Sequence, residues 1–381
     1  MTSNKKLKQL NTAKKLIFIT LVIYITAFFV INSSYLTLDN IHRFLFSLSQ
    51  SISGDIPDSD IIDFEESVKN RYDIYKNGFV VLNQKTLSIY NDDNCLISEH
   101  NMNFANPILR VSDKYIACFE RGGTTLNILD SFNFLQKMDF PEGIINVTIN
   151  NDGYISVITN CFGYKGMITI FNDRFEKIYV WQCSDSYLMD IVFLESNNVS
   201  VISLSQETEN TNILVRNINY KTGEESNICT ISDNFPIGIK NKVDKSVEIF
   251  TDVSIISVKN TESKIIYKDI NEQIDIFFQE SDNSIISRMI DTATRKYEVE
   301  AISSIGKVLF TLEFSDVKSI YCFNNVFYIL SGERLHILDN YGIIVQTIEV
   351  SPGASQVIAD KEIAYVLGAN YAQKIDLSFI Y

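Results

Sequence analysis

The body of the chain consists of short apolar runs that alternate with clusters of polar residues. Examples are GFVVLN, TLSIYND, YIACFE and TLNILD, each rich in Ile, Val, Phe or Tyr. Clusters of Asn, Asp and Gly separate the runs, and the whole chain has only five prolines. Because runs of this composition bounded by turn residues are typical of strands, the pattern predicts short β-strands at intervals of about 8–12 residues. It is typical of an all-β sandwich, barrel or propeller.

A second, longer period favours a propeller. A pair of runs joined by a polar turn recurs, as in residues 86–100, 125–140 and 334–350, and each pair belongs with two further runs. Four strands in a repeat of roughly 35–45 residues indicate a propeller blade. The predicted blades span residues 72–101, 106–140, 143–183, 187–231, 235–270, 272–315, 317–350 and 354–381.

The last predicted blade has three runs rather than four. A strand from the other end of the chain would complete it and remove the open sheet edge. We expect residues 61–64 to supply this strand. The prediction is therefore a β-propeller of about eight four-stranded blades over residues 72–381. Seven blades, or a pair of β-sandwiches, are the alternatives.

The N-terminal segment has a different pattern, because an uninterrupted apolar run extends from Leu16 to Ile31. The lysines before it are Lys5, Lys6, Lys8, Lys14 and Lys15. A bilayer core needs about 20 residues, so we expect a basic tail over residues 1–15 and a transmembrane helix over 16–36. The positive-inside rule places the tail in the cytoplasm and the bulk of the chain outside. A cleaved signal peptide and a buried soluble helix are the alternatives.

Residues 37–71 are predicted to form a helical stalk followed by a linker. Apolar residues spaced three and four apart would form a stripe on one face of the helix. This stripe consists of Leu38, Ile41, Leu45, Leu48 and Ile52. The helix is expected to dock on the body, to continue a membrane helix, or to mediate self-association.

Charge narrows the class of partner. Residues 1–38 contain five of the 33 Lys and Arg residues and none of the 47 Asp and Glu residues, which leaves the body strongly acidic. Since phosphate contacts need Lys and Arg, we expect no nucleic-acid partner. Six cysteines occur without a CxxC pair, and Cys118 and Cys322 lie in apolar runs. Core thiols are the favoured interpretation, with disulfide pairing as the alternative.

The blades resemble the degenerate WD40-like or YVTN-like repeats of bacterial extracytoplasmic propellers. The only tryptophan, Trp181, precedes Gln182 instead of the Asp of a WD40 blade. Residues 219–223 (NYKTG) are similar to the Asp-x-x-Thr-Gly turn of quinoprotein propellers but lack its following tryptophan. With its N-terminal run, the chain resembles uncharacterised single-pass bacterial membrane proteins that carry one propeller. The resemblance implies a scaffold or binding role and no known reaction, and the missing tryptophan gives no support for pyrroloquinoline quinone binding.

Candidate catalytic chemistry is sparse. The three histidines are His42, His100 and His336, and the sequence contains no nucleophile, metal or dinucleotide motif. We therefore predict no catalytic, cofactor or metal residues. Some propeller hydrolases use paired carboxylates at the central channel, and Asp190, Glu248 and Asp275 are the candidates for such a pair.

These patterns together predict a membrane-anchored extracytoplasmic propeller that binds a protein or a component of the cell envelope. The first alternative is a glycoside hydrolase or lyase with channel carboxylates. The second is a sensory or assembly subunit of a membrane complex.

Overall fold

The computed structural model describes residues 19–20, 37–54, 57, 59–207, 210–232, 234–242, 246–259, 262–268, 276–279 and 283–378. The described residues form 32 strands in eight antiparallel sheets of four strands each.

Each sheet is one blade. Blade 1 contains β2 (Arg71–Tyr75), β3 (Gly78–Leu82), β4 (Thr86–Tyr90) and β5 (Leu96–Asn101). Blade 2 contains β6 (Pro107–Val111), β7 (Ile116–Glu120), β8 (Thr125–Leu129) and β9 (Phe134–Asp139). Blade 3 contains β10 (Ile144–Ile149), β11 (Ile155–Cys161), β12 (Tyr164–Phe171) and β13 (Lys177–Cys183). Blade 4 contains β14 (Tyr187–Phe193), β15 (Asn198–Glu207), β16 (Asn210–Asn219) and β17 (Glu225–Ser232).

The second half repeats this order. Blade 5 contains β18 (Pro236–Asn241), β19 (Val247–Thr251), β20 (Ser254–Lys259) and β21 (Glu262–Lys268). Blade 6 contains β22 (Ile276–Gln279), β23 (Ser284–Asp291), β24 (Lys296–Ile302) and β25 (Val308–Ser315). Blade 7 contains β26 (Val317–Phe323), β27 (Val326–Ser331), β28 (Arg334–Leu338) and β29 (Ile344–Glu349). Blade 8 contains β30 (Gln356–Ala359), β31 (Ile363–Leu367), β32 (Tyr371–Asp376) and β1 (Ile61–Asp63).

The blades form a ring around their first strands. The first strand of each blade contacts that of the next from β2 through β18 and from β22 through β30, and β30 contacts β2. Three of the second strands, β3, β19 and β31, have no exposed residue. The core therefore lies between neighbouring blades, where one sheet face packs on the next. The predicted eight-bladed propeller is confirmed.

The ring closes through a strand from the N-terminal side of the propeller. Strand β1 pairs antiparallel with β32, with Ile62 opposite Ala372. The amide of Phe64 then donates to the carbonyl of Asn370 at 2.9 Å. The side chain of Ile62 is buried in a cluster that joins blades 1, 7 and 8. Hydrogen bonding and apolar burial thus act together at the junction.

A separate unit of the chain contains the helix α1 (Leu38–Ser53). Thr37 caps its start by accepting the amide of Asn40, and Gly54 ends it with φ of 75°. The predicted stripe residues Leu38, Ile41, Leu45, Leu48 and Ile52 all lie on this helix and are exposed.

The structure does not support the transmembrane helix that the sequence predicted before the propeller. Among the described residues, no helix is long and apolar enough to cross a lipid bilayer. Helix α1 has 16 residues, about 24 Å, and it includes Asp39 and Arg43. Of the predicted transmembrane segment 16–36, only residues 19–20 are described. The predicted single-pass membrane localisation, signal anchor and membrane contact depended on that helix and are therefore not supported either.

Candidate functional site

Large apolar side chains are exposed on one edge of blades 6 and 7. They come from the turns that join the third and fourth strands of these blades and from the strand starts that follow. We call this surface the turn patch; its residues are Ile305, Val308, Tyr341, Ile343, Ile344 and Val345. The exposed fraction is 74% for Ile305, 75% for Tyr341 and 62% for Ile343. Turns usually carry polar residues, so exposed apolar side chains in two neighbouring turns indicate an interaction surface.

Close packing between the blades holds the turn patch together. Gly342 lies against Phe310, since a Cβ on this glycine would be 2.7 Å from Cγ of Phe310. Its φ of 78° is also one that glycine adopts without strain. Phe310 packs in turn on Phe327, with ring centroids 5.1 Å apart. The exposed Tyr341 therefore lies in a turn that packs on a pair of buried aromatic rings.

A cleft of about 560 Å³ lies at the opposite ends of the same strands. Strands β25 and β29 both begin at the turn patch, with Val308 and Ile344, and both end at the cleft, with Ser315 and Glu349. Eight extended residues span about 26 Å. Strands β25 and β29 thus run from the turn patch to the cleft, and we call the surface along them, with these two ends, the β25 groove.

Carboxylates dominate the lining of the cleft, which includes Glu313, Asp316, Glu333 and Glu349. Two of them are held by flanking cations: Lys296 contacts Glu313 at 2.5 Å, and Arg295 contacts Asp316 at 2.7 Å. The other two lie at the mouth. Glu349 is 4.0 Å from Arg334, and the described residues provide no side-chain partner for Glu333.

Two aromatic rings line the cleft beneath these charges. His336 and Phe314 face each other across the blades, with ring centroids 5.2 Å apart. The Nδ1 atom of His336 is 3.0 Å from Oγ1 of Thr347. Burial, with a smaller effect from Arg334, lowers the pKa of His336 below its ordinary value. The imidazole is therefore neutral at pH 7, and Arg334 is the one cationic side chain among the residues that line the cleft.

The predicted channel carboxylate Asp190 lies in a row of polar side chains on the inner strands of blades 2–4. Asn146 donates to its Oδ1 at 2.8 Å, as does the amide of Ile191. Arg110 donates to Asn146 at 3.4 Å and completes the row. Burial raises the pKa of Asp190 to about 6, against the opposing effects of the Ile191 amide and Arg110.

Of the other two candidate acids, only Glu248 is described, and it has a different partner from Asp190. Glu248 is buried and paired with Lys242, which also donates to the carbonyl of Ser304 in blade 6 at 3.0 Å. Asp275 lies outside the described residues. Asp190 and Glu248 therefore do not form the pair of convergent channel acids that the hydrolase alternative requires.

The remaining predicted sites have mixed outcomes. Lys5, Lys6, Lys8, Lys14 and Lys15 lie outside the described residues, so their role in topology stays a prediction. Cys118 and Cys322 are buried thiols, and burial raises the pKa of Cys118 well above its ordinary value. Within the described range, no cluster of His, Cys, Asp and Glu could hold a metal ion.

The β25 groove was not predicted from the sequence. One usable signal was present, because Tyr341 and Ile343 are apolar residues in a segment with clear turn chemistry, Asp339-Asn340-Tyr341-Gly342. The cleft had no such signal, since its residues belong to strands of two blades.

Comparisons with solved structures agree with the ring architecture. BamB from Moraxella catarrhalis aligns with a TM-score of 0.55 and 12% identity, over 83% of this chain and 98% of that one. The Dos1 propeller gives 0.54 and 11%, over 82% and 94%. A eukaryotic initiation factor gives 0.53 and 11%, over 80% and 83%. Identities this low establish a common fold only.

A search of curated proteins found no match. A family model does match, over residues 58–377, and this range covers all eight blades and the closing strand. The chain therefore belongs to the DUF5711 family, a family of unknown function.

Proposed function

We propose that this chain is a binding module that holds a protein partner through the turn patch. The observation that carries the proposal is the exposure of Ile305, Tyr341 and Ile343 on turns fixed by buried packing. Soluble proteins rarely leave such side chains together in water, because burying them in an interface is favourable. Tyrosine is also enriched among residues that dominate binding energy.

The rigid support of the turn patch favours binding over catalysis. Loops on a fixed scaffold can present a preformed surface, which reduces the entropy lost on association. A specific protein interface buries about 1,200–2,000 Å² in total. The turn patch would form its apolar centre, and the polar rim would come from neighbouring turns.

Substitution of the turn patch tests this proposal. Tyr341→Ala combined with Ile343→Ala should reduce partner recovery from cell extracts by about thirtyfold, because central interface residues contribute about 2 kcal/mol or more. Phe162→Ala is the matched control, since Phe162 is 94% exposed on a hairpin between second and third strands, at the opposite edge of the ring. Equal recovery with wild type and the double variant would overturn the proposal.

We also propose self-association through α1. Its apolar stripe, Leu38 to Ile52 at heptad-like spacing, is exposed along the helix. Replacing Leu45 with Glu should shift the full chain towards a monomer in sedimentation, whereas Gln50→Glu, on the opposite face of the helix, should not. A monomeric wild-type chain at all concentrations would refute this.

A further inference from the structure

We infer that the partner contributes an extended segment to the β25 groove, with apolar residues on the turn patch and a lysine or arginine in the cleft. This inference rests on the proposed function and adds the chemistry of the partner. Two observations support it. The turn patch is apolar and the cleft is acidic, and strands β25 and β29 connect the two.

The unpaired edge of β25 favours an extended segment over a helix. Strand β25 is the outer strand of blade 6, so no further strand pairs with its free edge among the described residues. A free edge offers backbone donors and acceptors to an added strand. About eight extended residues would reach from Val308 to the cleft.

The cleft favours a cationic end. Glu333 and Glu349 lie at its mouth, while the remaining lining carboxylates are engaged by Arg295 and Lys296. The rings of Phe314 and His336 supply a face on which a guanidinium or an aliphatic lysine stem can lie. Because His336 is neutral at pH 7, it does not repel a cation there.

An acidic end would be excluded by the same groups. A glutamate entering the cleft would meet four carboxylates and a single lining cation, Arg334, which already lies 4.0 Å from Glu349. We therefore expect the groove to select partner segments by their charge at the cleft and by their apolar residues at the turn patch.

Synthetic peptides and a charge swap test the inference on the full chain. The probes are labelled peptides of about ten residues with alternating valine and threonine. Each peptide carries a pair of arginines or a pair of glutamates at one end, which is the N-terminus in one set of peptides and the C-terminus in the other. Fluorescence anisotropy should show that an arginine peptide binds wild type about tenfold more tightly than its glutamate counterpart. Glu333→Lys combined with Glu349→Lys should reverse this preference. Glu142→Lys, at an exposed glutamate between blades 2 and 3, is the control and should leave it unchanged.

The outcomes separate the two proposals. If the turn-patch variant loses the partner but the charge swap leaves the peptide preference unchanged, the inference about the cleft is wrong and the binding function stands. Failure of every peptide to bind wild type would also overturn the inference. If partner recovery is unaffected by Tyr341→Ala with Ile343→Ala, the proposed function itself fails.

Discussion

At the scale of single residues, Asp190 should make the free energy of unfolding fall as the pH rises. Its folded pKa of about 6 lies above the ordinary value of 3.8. Between these values the folded chain keeps a proton that the unfolded chain has lost, so stability falls as pH rises through this window. Asp190→Asn should remove the effect and gain up to about 2–3 kcal/mol over wild type between pH 4 and pH 7.

Urea unfolding, followed by the fluorescence of the single Trp181, measures this difference at each pH. Asp92→Asn, at an exposed carboxylate in a turn of blade 1, serves as the control. A constant difference between Asp190→Asn and wild type across the window would contradict the assignment.

Two ion pairs should differ sharply in their contribution to stability. Lys242 and Glu248 are almost fully buried, whereas Lys85 and Glu65 have exposed side chains 3.0 Å apart. Removing one member of a buried pair leaves an uncompensated charge. We therefore expect Glu248→Ala to cost about 3–5 kcal/mol and Glu65→Ala less than about 1 kcal/mol. Similar unfolding midpoints for the two variants would show that Lys242 finds compensation elsewhere.

At the scale of elements, the closing strand β1 allows a test with adjacent residues. Ile62 is 4% exposed and packs into the cluster of blades 1, 7 and 8, while Ile61 is 39% exposed. Ile62→Ala should destabilise the propeller by about 2–4 kcal/mol, because it leaves a cavity. Ile61→Ala should cost clearly less. Equal, small losses in calorimetry would mean that β1 does not hold the ring closed.

Strand prediction succeeded where the local pattern decides the outcome. The apolar runs in GFVVLN and YIACFE appear in the structure as the buried strands β3 and β7. The apolar run at residues 16–31 shows the limit of the same reasoning. Hydropathy predicted a membrane span over residues 16–36, but no helix of the described residues is long and apolar enough to cross a bilayer, and the helix Leu38–Ser53 is amphipathic.

At the scale of the whole molecule, the β25 groove depends on contacts that no local pattern encodes. Phe314 ends one blade and His336 lies in the next, yet their rings face each other. In sequence, each is an ordinary strand residue. Only the packing of blade 6 on blade 7 creates the cleft, so the sequence predicted the blades but not the site between them.

Photo-crosslinking in living cells tests the central claim most directly. A photoreactive phenylalanine analogue would replace Tyr341 in one strain and Phe162 in another, since both positions are strongly exposed on opposite edges of the ring. We expect a discrete crosslinked protein from position 341 and none from position 162. A crosslinked partner at 162 but not at 341 would contradict the account.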